Sequence, residues 1–289
     1  MSTLAQSNAG FVSVISGKTP FGEIVLGLVI NVIVLTLFFT AEGVYSGFNT
    51  MSNRFQTLMD YTANSVDKAL VIHQDPAKYA NAKQILFSEN EPTGVEFAYS
   101  FYLFVNPNTF DGAKVLHHVW HKGYGCVWPL MGPGVFIRGD TNAMRIVMNT
   151  YENPYTYVDV TNIPVRKWFH VVLNCRKGGL EVHVNGNLVN KIRFDKTVAY
   201  MNFQDIVLFS NANYTLRAST TPSLAGQDDL QVLGAFNGYM SEFIYTRYAM
   251  SFTEIQSLMN KGPSKQTKTA TMELPPYMAD NWWTTNYNA

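Results

Sequence analysis

Trp168-Phe169-His170-Val171-Val172-Leu173-Asn174, followed by Gly178-Gly179-Leu180-Glu181-Val182-His183-Val184-Asn185-Gly186, is the stretch whose reading decides the fold. The first part is a short run of aromatic and β-branched residues, which suit a pleated, packed surface. Gly178-Gly179 breaks it. Leu180, Val182 and Val184 then alternate with Glu181, His183 and Asn185, so period two places the three aliphatics on one face of a strand. Asn185-Gly186 is the strongest short hairpin signal, because both residues accept the positive φ of a type I′ turn. From Pro164 to Phe194 the chain therefore reads strand, turn, strand, turn, strand.

Working outward, Val95, Phe97, Tyr99, Phe101, Leu103 and Val105 alternate with Glu96, Ala98, Ser100 and Tyr102, and Asn106-Pro107-Asn108 ends that run. Lys114–Trp120, Val135–Ile137, Met144–Met148 and Ile206–Phe209 read as further strands. A Gly- and Pro-rich loop over residues 123–134 separates the first two, and Asn211–Leu233 reads as a long polar loop. Turn signals recur about every eight to twelve residues, as expected of a two-sheet sandwich.

Three pieces in order carry a resemblance. Phe97–Leu103 resembles an early strand. Trp168–Val172 with Leu180–Gly186 resembles a central signature. Phe236–Tyr245 with Ser251–Leu258 resembles a closing strand and short helix. The chain over residues 84–262 thus resembles the laminin-G-like and pentraxin-like jelly rolls of the concanavalin A-like lectin/glucanase superfamily. The resemblance implies an all-β, two-sheet antiparallel jelly-roll sandwich. It implies little about function, since that superfamily includes lectins, hydrolases and structural modules.

Formal net charge is zero and charged residues are few, so the basic stripe of a nucleic-acid-binding surface is missing. Phe (19) and Tyr (16) are plentiful and supply bulky core material. Two cysteines, Cys126 and Cys175, make no disulfide framework; they read as reduced thiols or as one bridge.

Five segments follow from composition: a polar start (1–23), an apolar helix (24–41), a stalk or linker (42–83), the jelly roll (84–262) and a tail (263–289). Ile24 to Ala41 carries no charge and would span roughly 27 Å as a helix, enough for a bilayer core. It starts too late, and with too little preceding positive charge, for a signal peptide. It also shows no polar stripe that would suit a core helix. The expectation is a single transmembrane helix, with Asn31 as a helix–helix contact or a satisfied interior amide. In the stalk, Phe55, Leu58, Met59, Val66, Ala69 and Leu70 recur at helical spacings, so a partly helical stalk is expected, with a flexible linker as the alternative. Tyr277, Trp282 and Trp283 in the tail read as partner-docking anchors, or as a segment folding back on its own domain.

Candidates for chemistry are sparse. His117, His118 and His121 sit in a strand, where His117 and His121 would be about 13 Å apart, too far for one ion. A retaining glycosidase needs two carboxylates about 5 Å apart, whereas Glu181 and Glu242 each stand alone, and no enzyme is expected. Calcium takes six to eight oxygens; Asp140, Asp228 and Asp229, or Asp205, could supply some, with solvated loop acids as the simpler reading. Tyr214 or Trp128 could stack on a sugar or pack a partner. Arg138-Gly139-Asp140 is ordinary turn chemistry, and Asn213-Tyr214-Thr215 is a glycosylation acceptor only in a secretory lumen.

The functional expectation is a non-catalytic structural protein that tethers a membrane to other protein subunits. In style it resembles minor capsid or virion membrane proteins of large DNA viruses, which implies a virion membrane location. The alternative is a membrane-displayed lectin-like module binding a glycan or surface partner, with or without calcium.

Overall fold

The computed structural model describes residues 20–52, 55–88, 95–194 and 197–267. It divides into two compact units, residues 1–54 and 55–289. Tyr277, Trp282 and Trp283 lie outside the described residues, as does nearly all of the 1–23 segment.

Among the described residues the first unit is one helix, α1 (Pro20–Ser52). Within it Glu23–Tyr45 is long and apolar enough to cross a membrane. Taken by itself it leaves its apolar side chains uncovered; Ile24, Leu28, Phe38 and Phe39 are exposed, as are Asn31 and Ala41. Its hydroxyls are satisfied internally: Thr36 Oγ1 donates to the Val32 carbonyl at 2.7 Å and Thr40 Oγ1 to that of Leu37 at 2.9 Å. Such back-bonding lets a hydroxyl sit in hydrocarbon without an unmet donor.

The second unit is a sandwich of two sheets. The first sheet has six strands among the described residues. In spatial order they are β1 (Gln56–Asn64), β14 (Gly238–Thr246), β3 (Phe97–Val105), β8 (Trp168–Arg176), β9 (Gly179–Val184) and β10 (Asn187–Arg193). All of its ladders are antiparallel. The second sheet runs β12 (Asn213–Leu216), β13 (Leu230–Ala235), β4 (Leu116–Lys122), β5 (Gly134–Arg138), β6 (Ala143–Met148) and β7 (Thr156–Thr161). There β11 (Ile206–Leu208) pairs the later half of β4, and β2 (Leu70–Ile72) pairs β11. The β13–β4 pairing is parallel; the remaining ladders of this sheet are antiparallel.

The alternation read from sequence becomes the core. Phe97, Tyr99, Phe101, Leu103 and Val105 point between the sheets, with Phe169, Val171, Leu173, Leu180 and Val182 beside them. Val119, Trp120, Ile137, Met144 and Ile146 face them from the second sheet. The Trp120 ring lies 5.0 Å from Tyr99, 5.6 Å from Phe101 and 4.8 Å from Phe243, so one aromatic cluster joins the layers. Each such ring, fully buried, contributes on the order of 2–3 kcal/mol in transfer free energy. Asn185 (φ 48°) and Gly186 (φ 78°) close the β9–β10 hairpin in the left-handed region, as expected. The closing helix α2 (Phe252–Lys261) starts with a capping box between Ser251 and Glu254 and packs Ile255 against Ala98, Val172 and Met250.

Two sequence expectations are corrected. Phe55–Leu70 is not a helical stalk: α1 ends at Ser52, and Gln56–Asn64 is strand β1 on β14. Register shifts at Thr57/Met59 and Met59/Thr62 break the period of two, so its buried Leu58, Met59 and Ala63 mimic helical spacing. Nor is Asn211–Leu233 a structureless loop, since it holds β12 and part of β13, paired edge to edge. Those strands are too short for alternation to stand out.

Candidate functional site

The acids proposed for calcium do meet. Asp140, Asp228 and Asp229 line one cleft of about 380 Å³ together with Lys114, Arg138 and Arg145. Asp140 and Asp229 are engaged by other groups there. The Arg138 guanidinium grips both Asp140 oxygens, Nε to Oδ1 at 2.9 Å and Nη2 to Oδ2 at 2.6 Å, and these hydrogen bonds hold that carboxyl below the usual carboxylate range. Arg138 also reaches Asp159 at 3.0 Å, and Arg145 holds Asp159 with two bonds of 2.7 Å while lying 3.9 Å over the Tyr157 ring. Burial pushes the Asp159 carboxyl up, but the hydrogen bonds from Arg145 and Arg138 outweigh it and leave it low. Asp229 accepts from the Ala218 amide at 2.8 Å. Lys114, Arg138 and Arg145 share the lining with these carboxylates and offset their charge. Among the described residues no three His, Cys, Asp or Glu side chains converge as a metal ion requires. The pairing of Arg138 with Asp140 also closes the Arg-Gly-Asp tripeptide on itself.

The histidines of β4 are arranged otherwise than a regular strand would have them. A register shift between His118 and Trp120 turns both Val119 and Trp120 inward and brings His118 and His121 to one face. Ser210 N–H donates to His118 Nδ1 at 3.0 Å, so His118 carries its proton on Nε2 and donates to His121 Nδ1 at 2.7 Å. His121 Nε2 in turn donates to the Tyr124 carbonyl at 2.7 Å. Burial lowers the affinity of both rings for a second proton, and for His118 the neighbouring His121 lowers it further. The result is a neutral, fully matched internal chain. His117 bonds the Leu233 carbonyl at 3.0 Å instead.

Trp128 and Tyr214 are half-buried against the cluster around Leu116, Phe136 and Leu224. Cys126 is an exposed free thiol and Cys175 a buried one. Of the carboxylates weighed for hydrolysis, Glu181 meets Lys191 at 3.4 Å and Glu242 meets Lys261 at 2.5 Å. Ser100 Oγ lies 2.7 Å from His170 Nε2, an arrangement sequence reading missed, but both groups are buried on the sheet face that carries α2.

A second cleft, of about 500 Å³, was not anticipated. It lies where β2, the segment after it, the end of β4 and the segment before β11 meet. Asp205 sits among them: Oδ2 accepts from His73 Nδ1 at 2.8 Å and Oδ1 from the Gln74 amide at 2.8 Å. The His73 ring stacks on Tyr79, centroids 3.5 Å apart and planes 6° from parallel. Gln74 Oε1 accepts from the Ile85 amide, and Asn202 Nδ2 donates to the Lys122 carbonyl, each at 2.9 Å. Polar groups are thus fixed along the cleft, while three aromatic rings stand open at it: Tyr79 is 43% exposed, Phe87 52% and Phe203 67%. Phe87 and Phe203 meet edge to face, 5.2 Å between centroids. Each residue sits in a segment without strong periodicity, and the one available signal was aromatic residues in polar loops.

No family model and no curated protein matches the sequence. Among solved structures the chain is similar to the receptor binding domain of botulinum neurotoxin D, with a TM-score of 0.47 and 11% identity over 70% of this chain and 44% of that one. It is similar to botulinum neurotoxin type C, described as entering cells through interaction with two ganglioside molecules (TM-score 0.44, 15% identity, 70% of this chain, 42% of that one). It is also similar to the binding domain of botulinum neurotoxin DC in complex with SialylT (TM-score 0.42, 15% identity, 67% of this chain, 39% of that one). The chain spans less than half the length of each of these.

Proposed function

We propose that this chain is a non-catalytic, membrane-anchored binding module whose β-sandwich takes a carbohydrate in the cleft beside Phe203. One observation carries the reading: Tyr79, Phe87 and Phe203 stand exposed around a cleft whose amides and carboxylates are already held in place. A sugar ring has an apolar C–H face, which an open aromatic ring covers, and a rim of hydroxyls, which fixed planar polar groups recognise. Large rings left open beside fixed polar groups are otherwise a cost without a return. α1 anchors the module in a bilayer: its apolar length suffices, and Thr36 and Thr40 satisfy themselves within it. Tyr277, Trp282 and Trp283, on which a tether to a protein shell would rest, lie outside the described residues.

The test is a glycan array probed with the full chain in detergent micelles, wild type beside Phe203→Ala and Phe87→Ala. Wild type is expected to retain defined glycans, and either substitution to weaken them about tenfold, on the order of the stacking energy of one ring. Wild-type silence across the array would end the reading.

A further inference from the structure

Lys122 lies at the end of β4 and lines the same cleft, yet the residue is only 2% exposed. Its ammonium has three N–H donors. One goes to the Gln204 carbonyl at 2.6 Å. Among the described residues no carboxylate comes within 4.0 Å of Nζ. The other charged groups at the cleft are committed elsewhere: Asp205 to His73 and Gln74, and Asp75 to Lys78 at 3.5 Å. A buried cation with idle donors is expensive unless an acceptor completes it. Oxygens entering from the cleft can do so.

We propose that the cleft selects anionic saccharides, the sugar's carboxylate or sulfate seating on Lys122 Nζ while its ring covers Phe203. This rests on the carbohydrate reading above and adds the class of sugar. An anionic group brings the missing acceptors and a charge in direct contact, which Asp205 supplies only from beyond ion-pair distance, and in a recessed cleft such an ion pair is screened less than at the surface. A neutral sugar would satisfy the donors without adding that charge.

The experiment compares a glucuronate-containing oligosaccharide with a neutral glucose oligosaccharide of equal length, by calorimetry on the full chain in detergent. The acidic ligand is expected to bind at least tenfold tighter to wild type, and Lys122→Met to remove that preference. A second measurement needs no variant. Burial brings the Lys122 ammonium down to about 8 against the raising effect of Asp205. The acidic preference should therefore hold at pH 7 and fade as pH rises past that value; Asp75, Lys78, Asp205 and His73 are the other charged or titratable groups facing the cleft. Equal binding of both ligands to wild type, or a preference unchanged at high pH, overturns this inference and leaves the carbohydrate reading standing. Binding of neither removes both.

Discussion

His118 Nε2 and His121 Nδ1 are 2.7 Å apart inside the second sheet, two histidines on one face of a strand at a spacing of three. That spacing exists because a bulge inserts a residue between them. The chain Ser210 amide, His118, His121, Tyr124 carbonyl runs donor to acceptor in one direction and leaves no site for another proton. His118→Leu is expected to strand the Ser210 N–H and His121 Nδ1, costing roughly 2 kcal/mol or more, read by urea unfolding.

Acid should destabilise the sandwich for the same reason. Burial lowers His118, His121 and His183, and brings His170 down to about 4, with His183 adding to the last. The unfolded chain protonates these rings near 6.5, so it binds more protons than the folded one below that pH. Stability contributed by the neutral rings is fully present above about 6.5 and is lost as pH falls toward the folded values. For His170 alone the loss is on the order of 3 kcal/mol by pH 4. Thermal unfolding from pH 7.5 to 4.5 checks this; a flat Tm would contradict it.

Asp159 anchors two guanidinium groups at once. Asp159→Ala leaves Arg145 without its countercharge in a largely buried position, and a cost of about 3–5 kcal/mol is expected. Arg138→Ala should cost less, because Arg145 keeps Asp159 paired. With Asp140 already taken by Arg138, adding calcium or a chelator should leave the wild-type Tm unchanged, by differential scanning calorimetry.

Gly186 closes the β9–β10 hairpin at φ 78°, and an added Cβ would fall 2.3 Å from Gln256 Nε2 in α2. Gly186→Val should cost more than the roughly 1 kcal/mol of backbone strain alone, since the Gln256 side chain must also move aside. Chemical unfolding against Gly226→Val, which shares φ 78° but has nothing within 4 Å, separates the two contributions.

Membrane insertion of α1 should fail once its apolar run is broken. Leu28→Arg with Leu35→Arg adds about 5–7 kcal/mol to insertion on a translocon scale. The double variant is expected in the carbonate-soluble fraction and the wild type in the pellet.

Much of the fold was legible because long strands with one buried face write period two into the chain. Phe97–Val105 and Leu180–Val184 did so, and Asn185-Gly186 named its own turn. Strand β1 was misread because its bulges imitate a helix, and β12 because four residues hold no period. Of the site, Asp140, Asp228 and Asp229 could be named as loop acids but not placed in one cleft, since no spacing reveals that Arg138 and Arg145 arrive at the same place. The cleft of Tyr79, Phe87, Lys122 and Phe203 was invisible for the same reason.

By itself the sequence determined a sandwich with an aromatic interior and an apolar helix of bilayer length, because alternation, turn chemistry and hydropathy are local properties of consecutive residues. Only the tertiary structure decided which groups became partners. A lysine is a surface cation or a buried one in want of an anion according to which distant segments close around it, and loops that close on one another carry no periodicity that announces where they will meet.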